Sequence, residues 1–282
     1  MKQYLLWFLF ISSVAIVRGQ LLYTIQPKNG NSISYLYGTI HMMPEDQFQL
    51  TSSLLEAFES CSTLAMEVDL NMDFSAKIAM AQQTILPDGK TLKDITTPEQ
   101  YTKIVRYCLD SCGMSKKKLK RYSRIKPFFF SSAMLQDQLK ETKSYELEFQ
   151  KMAEKRKKST MGLESIQVQM ETINAVSLED QVSMLLDGIN QPQQYEGMLQ
   201  AYLAEDLDGL YQDIVSESEG FPNFIEDFLN RRNRNWIPVI SSQVERGATF
   251  IAVGSGHLPG EQGVISLLRN AGYTITPVVQ KK

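Results

Sequence analysis

One pattern is written twice in this chain, near its two ends, and it limits the fold more than any other feature. Between residues 32 and 70 an apolar, β-rich stretch (ISYLYGTI) runs into His41 and a loop holding Pro44. An amphipathic segment (LTSSLLEAFESC) and a second apolar stretch (STLAMEVDL) follow. Between residues 249 and 279 the same order recurs: TFIAV, then GSGH with Pro259 and Gly260, then QGVISLLRNAG and YTITPVV. Strand, glycine-containing turn, helix, strand is the mark of a βαβ unit. Two such units predict an α/β fold in which both contribute to one central sheet with helices packed on it. From about 74 to 243 the apolar spacing is instead near i, i+3, i+4, at 101–109, 128–140, 145–157, 193–208 and 224–243. That predicts a long, mostly helical insertion between the two units. No linker poor in apolar residues divides the 282 residues, so 20–282 reads as one domain.

The first 19 residues belong to a different kind of segment. Lys2 precedes an apolar run from Tyr4 to Val17, which is shorter than the roughly 20 residues a membrane-spanning helix needs. A cleaved secretory signal ending before Gln20 is the better reading, with Val17 and Gly19 at the small-residue positions. The chain is then expected to be exported, periplasmic or secreted, touching a membrane only through this segment if it stays uncleaved. Twenty-nine basic against 32 acidic side chains give a formal charge of −3, too balanced for a general nucleic-acid binder. The basic runs 116–126 and 151–158 and the acidic run 206–219 read as solvated helix faces. Three cysteines, Cys61, Cys108 and Cys112, are too few for a disulfide scaffold and read as buried or half-buried thiols.

The chain has only two histidines, and both sit in the same setting. His41 ends Gly38-Thr39-Ile40-His41 and His257 ends Gly254-Ser255-Gly256-His257, each after an apolar strand and before a proline-containing loop and a helix. In open α/β sheets, ligands bind beyond the carboxyl ends of the strands, which is where both histidines fall. Matched placement points to a shared site, since imidazoles serve as metal ligands and as acid–base groups. In STLAMEVDL, strand alternation sets Glu67 on one face with Thr63, Ala65 and Asp69, near the carboxyl end. A carboxylate there would complete a metal site or act as a general base. Other templates are missing: Ser255 lies outside any G-x-S-x-G, and there is no H-E-x-x-H, P-loop or G-x-G-x-x-G.

These motifs resemble those of the TraB/GumN family, the Tiki/PrgY-like group. LYGTIHMMPEDQFQLTSSLLEAFESCSTLAMEVDL is similar to its opening G-T-x-H, helix and E-V-D strand. FIAVGSGHLPGEQGVISLLRNAGYTITPV is similar to its V-G-x-G-H-L-x-G ending. TMGLESIQVQM resembles its G-L-E segment and LNRRNRNWIPVI its R-N-x-x-W helix. AYLAEDLDGL resembles its W-x-x-G-D helix, with Tyr202 and Glu205 departing from it. The resemblance implies that His41, Glu67, Glu164, Arg232, Asn233 and His257 gather in one cleft formed by the two repeats. It further implies a metal-dependent hydrolase, peptidase-like, with His41, His257 and Glu67 on a divalent Mn, Co, Fe or Zn ion. Glu67, Glu164, Arg232 and Asn233 would then serve catalysis on a peptide or small-molecule substrate. Relatives of this group also imply two alternatives: a metal-independent esterase-like hydrolase, in which Arg232 steadies an anion, and a non-catalytic peptide- or haem-binding protein. The oligomeric state is not legible.

The mature protein is expected to begin near Gln20. Intact-mass measurement of the exported protein checks this, and a retained 1–19 segment would point to an anchor instead.

Overall fold

In a computed structural model of the protein, the described residues are 20–279 apart from Asn31 and Pro222; the expected leader at 1–19 lies outside them. The strands in chain order are β1 (Leu22–Gln26), β2 (Ser34–Thr39), β3 (Met43–Pro44), β4 (Thr63–Met66), β5 (Thr142–Lys143), β6 (Ser159–Gly162), β7 (Thr249–Gly254) and β8 (Thr274–Pro277). Six of them form one sheet in the order β6-β4-β7-β2-β1-β8, which gives the α/β fold the two units imply. β6, β4, β7 and β2 run parallel, while β1 pairs antiparallel with both β2 and β8. β3 and β5 make a separate two-stranded ribbon.

The two βαβ units do not sit side by side. β7 of the second unit lies between β2 and β4 of the first, so the units interlock in a single sheet. The parallel strands are buried on both faces: Leu64, Phe250, Ile251, Ala252 and Val253 have almost no exposure. Direct pairing of β2 with β7, with Thr39 opposite Gly254, brings both histidine turns to one sheet edge. Gly38 is what lets them meet. A Cβ at Gly38 would stand 2.7 Å from Leu258 Cδ1 and 3.1 Å from Ser255 Cα, inside the second histidine turn.

The insertion differs from a wholly helical one in two ways that matter for the site. It supplies β6, an edge strand paired with β4, and β5, which is tied to the loop after His41. The expected helix at 193–208 is broken into Gln194–Leu203 and Leu207–Glu217. Glu205 lies between them at φ 56°, where the family pattern has glycine. The left-handed backbone that ends the first helix there costs a side-chain-bearing residue roughly 1–2 kcal/mol, which glycine would avoid. Much of the insertion builds its own core, in which Cys108 and Cys112 are buried with Leu92, Ile104, Phe130 and Leu185. All three cysteines are free thiols, and burial pushes Cys108 up to about 12. No helix among the described residues is long and apolar enough to cross a membrane.

Gly38→Ala is expected to destabilise the protein by about 1–3 kcal/mol, because the new methyl would meet Leu258 Cδ1 at 2.7 Å and Ser255 Cα at 3.1 Å in a packed turn. Gly188→Ala, in open space within the helix Leu178–Asn190, is expected to be neutral or to stabilise by up to ~1 kcal/mol. Urea denaturation of both variants reads the contrast.

Candidate functional site

The site is assembled around a buried arginine. Arg232 opens the helix Arg231–Arg246, with its side chain 8% exposed. Its Nη2 donates to Glu67 Oε2 and to Glu164 Oε1, both at 2.6 Å. Its Nε also donates to Glu164, at 2.9 and 3.2 Å, making a forked pair. The preceding π-helical turn, Glu226–Asn230, offers the Phe228 carbonyl to Nη1 at 3.0 Å. One turn on, Trp236 lies under the guanidinium, 4.8 Å from its ring centre, and donates Nε1–H to Glu164 Oε2 at 3.1 Å. The β4–β6 pairing explains why two carboxylates converge here. Glu67 and Glu164 both lie just past the ends of these paired strands, and Glu164 N–H donates to the Glu67 carbonyl at 3.0 Å.

Glu67 is held ionised. Burial alone raises its pKa, but His257 and Arg232, then His41 and the Gly254 amide, outweigh it and lower it to about 2. The Gly254 N–H donates to Oε1 at 2.8 Å and Gln169 Nε2 to Oε2 at 3.2 Å. His257 is buried and takes the opposite form. Burial, only partly offset by Glu67, and then the charges of Arg232 and His41 lower it to about 3. With His257 neutral at physiological pH, the cation that lastingly opposes Glu67 from within the buried cluster is Arg232.

The tautomer of His257 follows from its neighbour. Asn233 Nδ2 donates to the carbonyls of His257 and Gln262, at 3.3 and 2.8 Å, which turns its Oδ1 to the ring. His257 Nδ1–H therefore donates to Oδ1 at 2.6 Å. Its Nε2 is left with a lone pair, 3.8 Å from Glu67 Oε1, and accepts Arg232 Nη1–H at 3.2 Å. His41 is anchored in the same way from the other side. Its Nδ1 pairs with Glu146 Oε1 at 3.0 Å, and Thr39 and Ser144 hydroxyls donate to the two Glu146 oxygens, each at 2.6 Å. The β3–β5 ribbon causes this contact, since it ties the loop after His41 to the residues just before Glu146. The cleft walls lower the basicity of His41, but the hydrogen bond and charge of Glu146, followed by Glu67, raise it on balance. Water reaches the ring, 69% exposed, and screens part of that attraction.

All three groups meet above Gly254. A Cβ there would lie 3.2 Å from Glu67 Oε1, 3.6 Å from His257 Cδ2 and 3.8 Å from His41 Nε2. The absent side chain is thus the floor of the site. A cleft of about 580 Å³ opens over it, lined at its base by His41, Glu67, Arg232 and His257 and along its wall by Phe128, Phe224 and Phe228. A second recess of about 230 Å³ shares His41, Glu67 and Gln169 and runs past Met66, Val68, Leu70 and Leu147.

The sequence pattern of the TraB/PrgY/gumN family matches residues 21–277. This chain belongs to that family. Among curated proteins, the zebrafish (Danio rerio) protein named Metalloprotease TIKI1 is 23% identical, over 88% of this chain and 62% of its own length. The chain thus spans less than two thirds of that relative. No solved structure matches. Of the residues that TraB/GumN resemblance singles out, the structure joins Glu67, Glu164, Arg232, Asn233 and His257 in one hydrogen-bonded network, with His41 beside it over Gly254 and bonded instead to Glu146. Among the described residues, however, no three His, Cys, Asp or Glu side chains are grouped closely enough to hold a metal ion. Glu146 and Gln169 were not legible from the motifs; a carboxylate in the first turn of a helix is ordinary, and the ribbon that aims Glu146 has two-residue strands.

With a chelator present, the two imidazoles are expected to titrate apart. His257 stays neutral in the fold while the unfolded chain protonates below its ordinary 6.5, so its contribution to stability is lost as pH falls from about 6.5 to about 3. His41 has the opposite sign: its contribution is present below 6.5 and fades as pH rises through its raised folded value. Nitrogen NMR of the two rings checks both, and two midpoints near 6.5 would contradict the network.

Proposed function

We propose that this chain is an exported peptidase whose reacting centre is the convergence of His41, Glu67 and His257, working with a divalent cation. One observation carries the reading. Both imidazoles are anchored through Nδ1, by Glu146 and by Asn233, and both approach the cradle at Gly254 where Glu67 ends. An Nδ1 held by an outer carboxylate or amide is how metal-binding histidines are oriented. Glu67 and His257 already hold the forms a cation needs, an ionised carboxylate and a neutral imidazole, whereas His41, whose basicity Glu146 raises, has to release a proton to it. Imidazole with carboxylate suits Mn, Co, Fe or Zn. The metalloprotease name of the zebrafish relative supports the same class.

The donor types suit a cation, but the side chains as they stand are not drawn together closely enough to hold one, so His41, Glu67 and His257 would have to close on it. His257 Nε2 already accepts Arg232 Nη1–H, so an ion at that nitrogen competes with the guanidinium. When bound, a divalent ion supplies Lewis acidity toward a carbonyl and a water acidic enough to attack at neutral pH. The chain's own residues do the rest. Arg232 fixes Glu67 and Glu164 and keeps positive charge where an oxyanion would form. Glu146 holds the His41 ring in the cleft mouth, and Trp236 packs against His257 with ring centres 4.5 Å apart.

Asn233→Ala and Glu146→Gln are expected to weaken metal binding by about 10–100-fold while leaving the fold intact. His41→Ala and His257→Ala should abolish both metal binding and peptide hydrolysis. Glu67→Gln sorts its role: metal kept with activity lost makes it a base, and both lost make it a ligand. Metal analysis alongside a peptide-cleavage assay reads all five. Wild-type protein that hydrolyses fully after chelation would contradict the cation. That result would favour a metal-independent hydrolase, with Arg232 held on His257 as the structure has it.

A further inference from the structure

The reacting centre is not at the end of the cleft but in its middle. His41, Glu67 and Gln169 line both recesses, so a chain laid across them extends in two directions. The two directions differ in size and character. The larger recess is walled by three half-buried phenylalanines that form a ladder. Phe224 stacks on Phe228 with ring centres 4.4 Å apart at 15°, and Phe128 lies 5.8 Å from Phe228 at 30°. Ile173 and Ile214 complete that wall, and its charged groups are confined to the catalytic floor. At about 580 Å³ it falls in the range of about 300–1,000 Å³ typical of pockets for whole small ligands, so it admits a large side chain. The smaller recess presents Met66, Val68, Leu70 and Leu147, and Leu147 is 54% exposed at its mouth.

A charged side chain pressed against the phenylalanine wall would lose water with no partner to replace it, whereas an apolar one gains. The floor carboxylate Glu67 is already taken by Arg232, Gly254 and Gln169, so it offers no ready counter-charge to a basic side chain. Resting on the peptidase reading above, we propose that the substrate is an extended peptide cut between two apolar residues. An aromatic or similarly bulky residue occupies the Phe128–Phe224–Phe228 recess, and an aliphatic one occupies the Met66–Leu70–Leu147 recess. Phe224 sets the first preference: it touches the recess and takes no part in the Arg232 network.

The test uses the full-length mature protein, loaded with Mn, Co or Zn, on an unbiased peptide library whose cleaved bonds are sequenced. Cleaved bonds are expected to carry an aromatic residue on one side and an aliphatic one on the other. Phe224→Ala should lower kcat/KM for a peptide with phenylalanine beside the cut by about tenfold or more. The matched alanine peptide should be affected far less, and Phe224→Leu should recover part of the loss. Cleavage without an apolar preference, or a preference that Phe224→Ala leaves unchanged, would overturn the proposal. A parallel arm measures fluorescence anisotropy of labelled hexapeptides, one with Phe-Leu and one with Lys-Asp at the centre, on chelated protein. Should no peptide be cut, the peptidase reading fails. Tighter binding of the Phe-Leu peptide, weakened by Phe224→Ala, would then still uphold the apolar recess, and equal binding of the two would overturn it.

Discussion

A guanidinium buried between two carboxylates holds this site together. Arg232 alone touches Glu67, Glu164, the Phe228 carbonyl and His257, and it lies over Trp236. Without it, two carboxylates would face each other at the ends of neighbouring strands, and one would take up a proton. Removing one partner from a buried pair costs about 3–5 kcal/mol, mainly because the remaining charge is left without compensation. The clamp therefore couples two sheet strands from distant parts of the chain to the last helix of the insertion. It adds to the contrast in protonation: burial first, then the Arg232 charge, keeps His257 neutral, while His257 and Arg232 together hold Glu67 ionised.

The two G-x-x-H glycines have separate physical reasons. Gly38 leaves room for Ser255 and Leu258 of the second histidine turn, and Gly254 leaves room for the Glu67 carboxylate. Each motif thus clears space for groups outside itself. Strand order makes both clearances necessary: with β7 between β2 and β4, the turns after these strands are close enough for a missing Cβ to matter. Gly162 adds a third close approach, since a Cβ there would stand 2.8 Å from the Asp69 amide where β4 ends.

How much of this was legible in the sequence follows from where the signal lies. The strands around both histidines are continuous apolar runs, and Glu67 ends one of them, so these residues stand out from local pattern alone. Interlocking was not legible, because strand order depends on which edges pair and not on the pattern within a strand. β6 and the β3–β5 ribbon were hidden for another reason: four or two residues give no periodicity, and with them went Glu146. Arg232 sits in a run with Arg231 and Arg234, both exposed, and nothing in the sequence but the family resemblance separates it from them; the fold turns it alone inward. The phenylalanine wall joins residues from the helix Pro127–Leu139 and from the segment before Arg231, which no spacing relates. Glu205 was visible only as a departure from a glycine position, and its positive φ gives that departure a structural meaning.

The proposed cation-dependent centre joins the two histidine motifs and Glu67 over Gly254. Anomalous diffraction from crystals of the mature protein soaked in manganese, with data on either side of the metal edge, addresses it directly. One strong peak is expected in the cradle beside Gly254, within ligand distance of His41 Nε2 and Glu67, with Arg232 Nη1 displaced from His257. An active protein whose only anomalous density lies elsewhere, or which shows none while Arg232 still holds His257, would contradict the account.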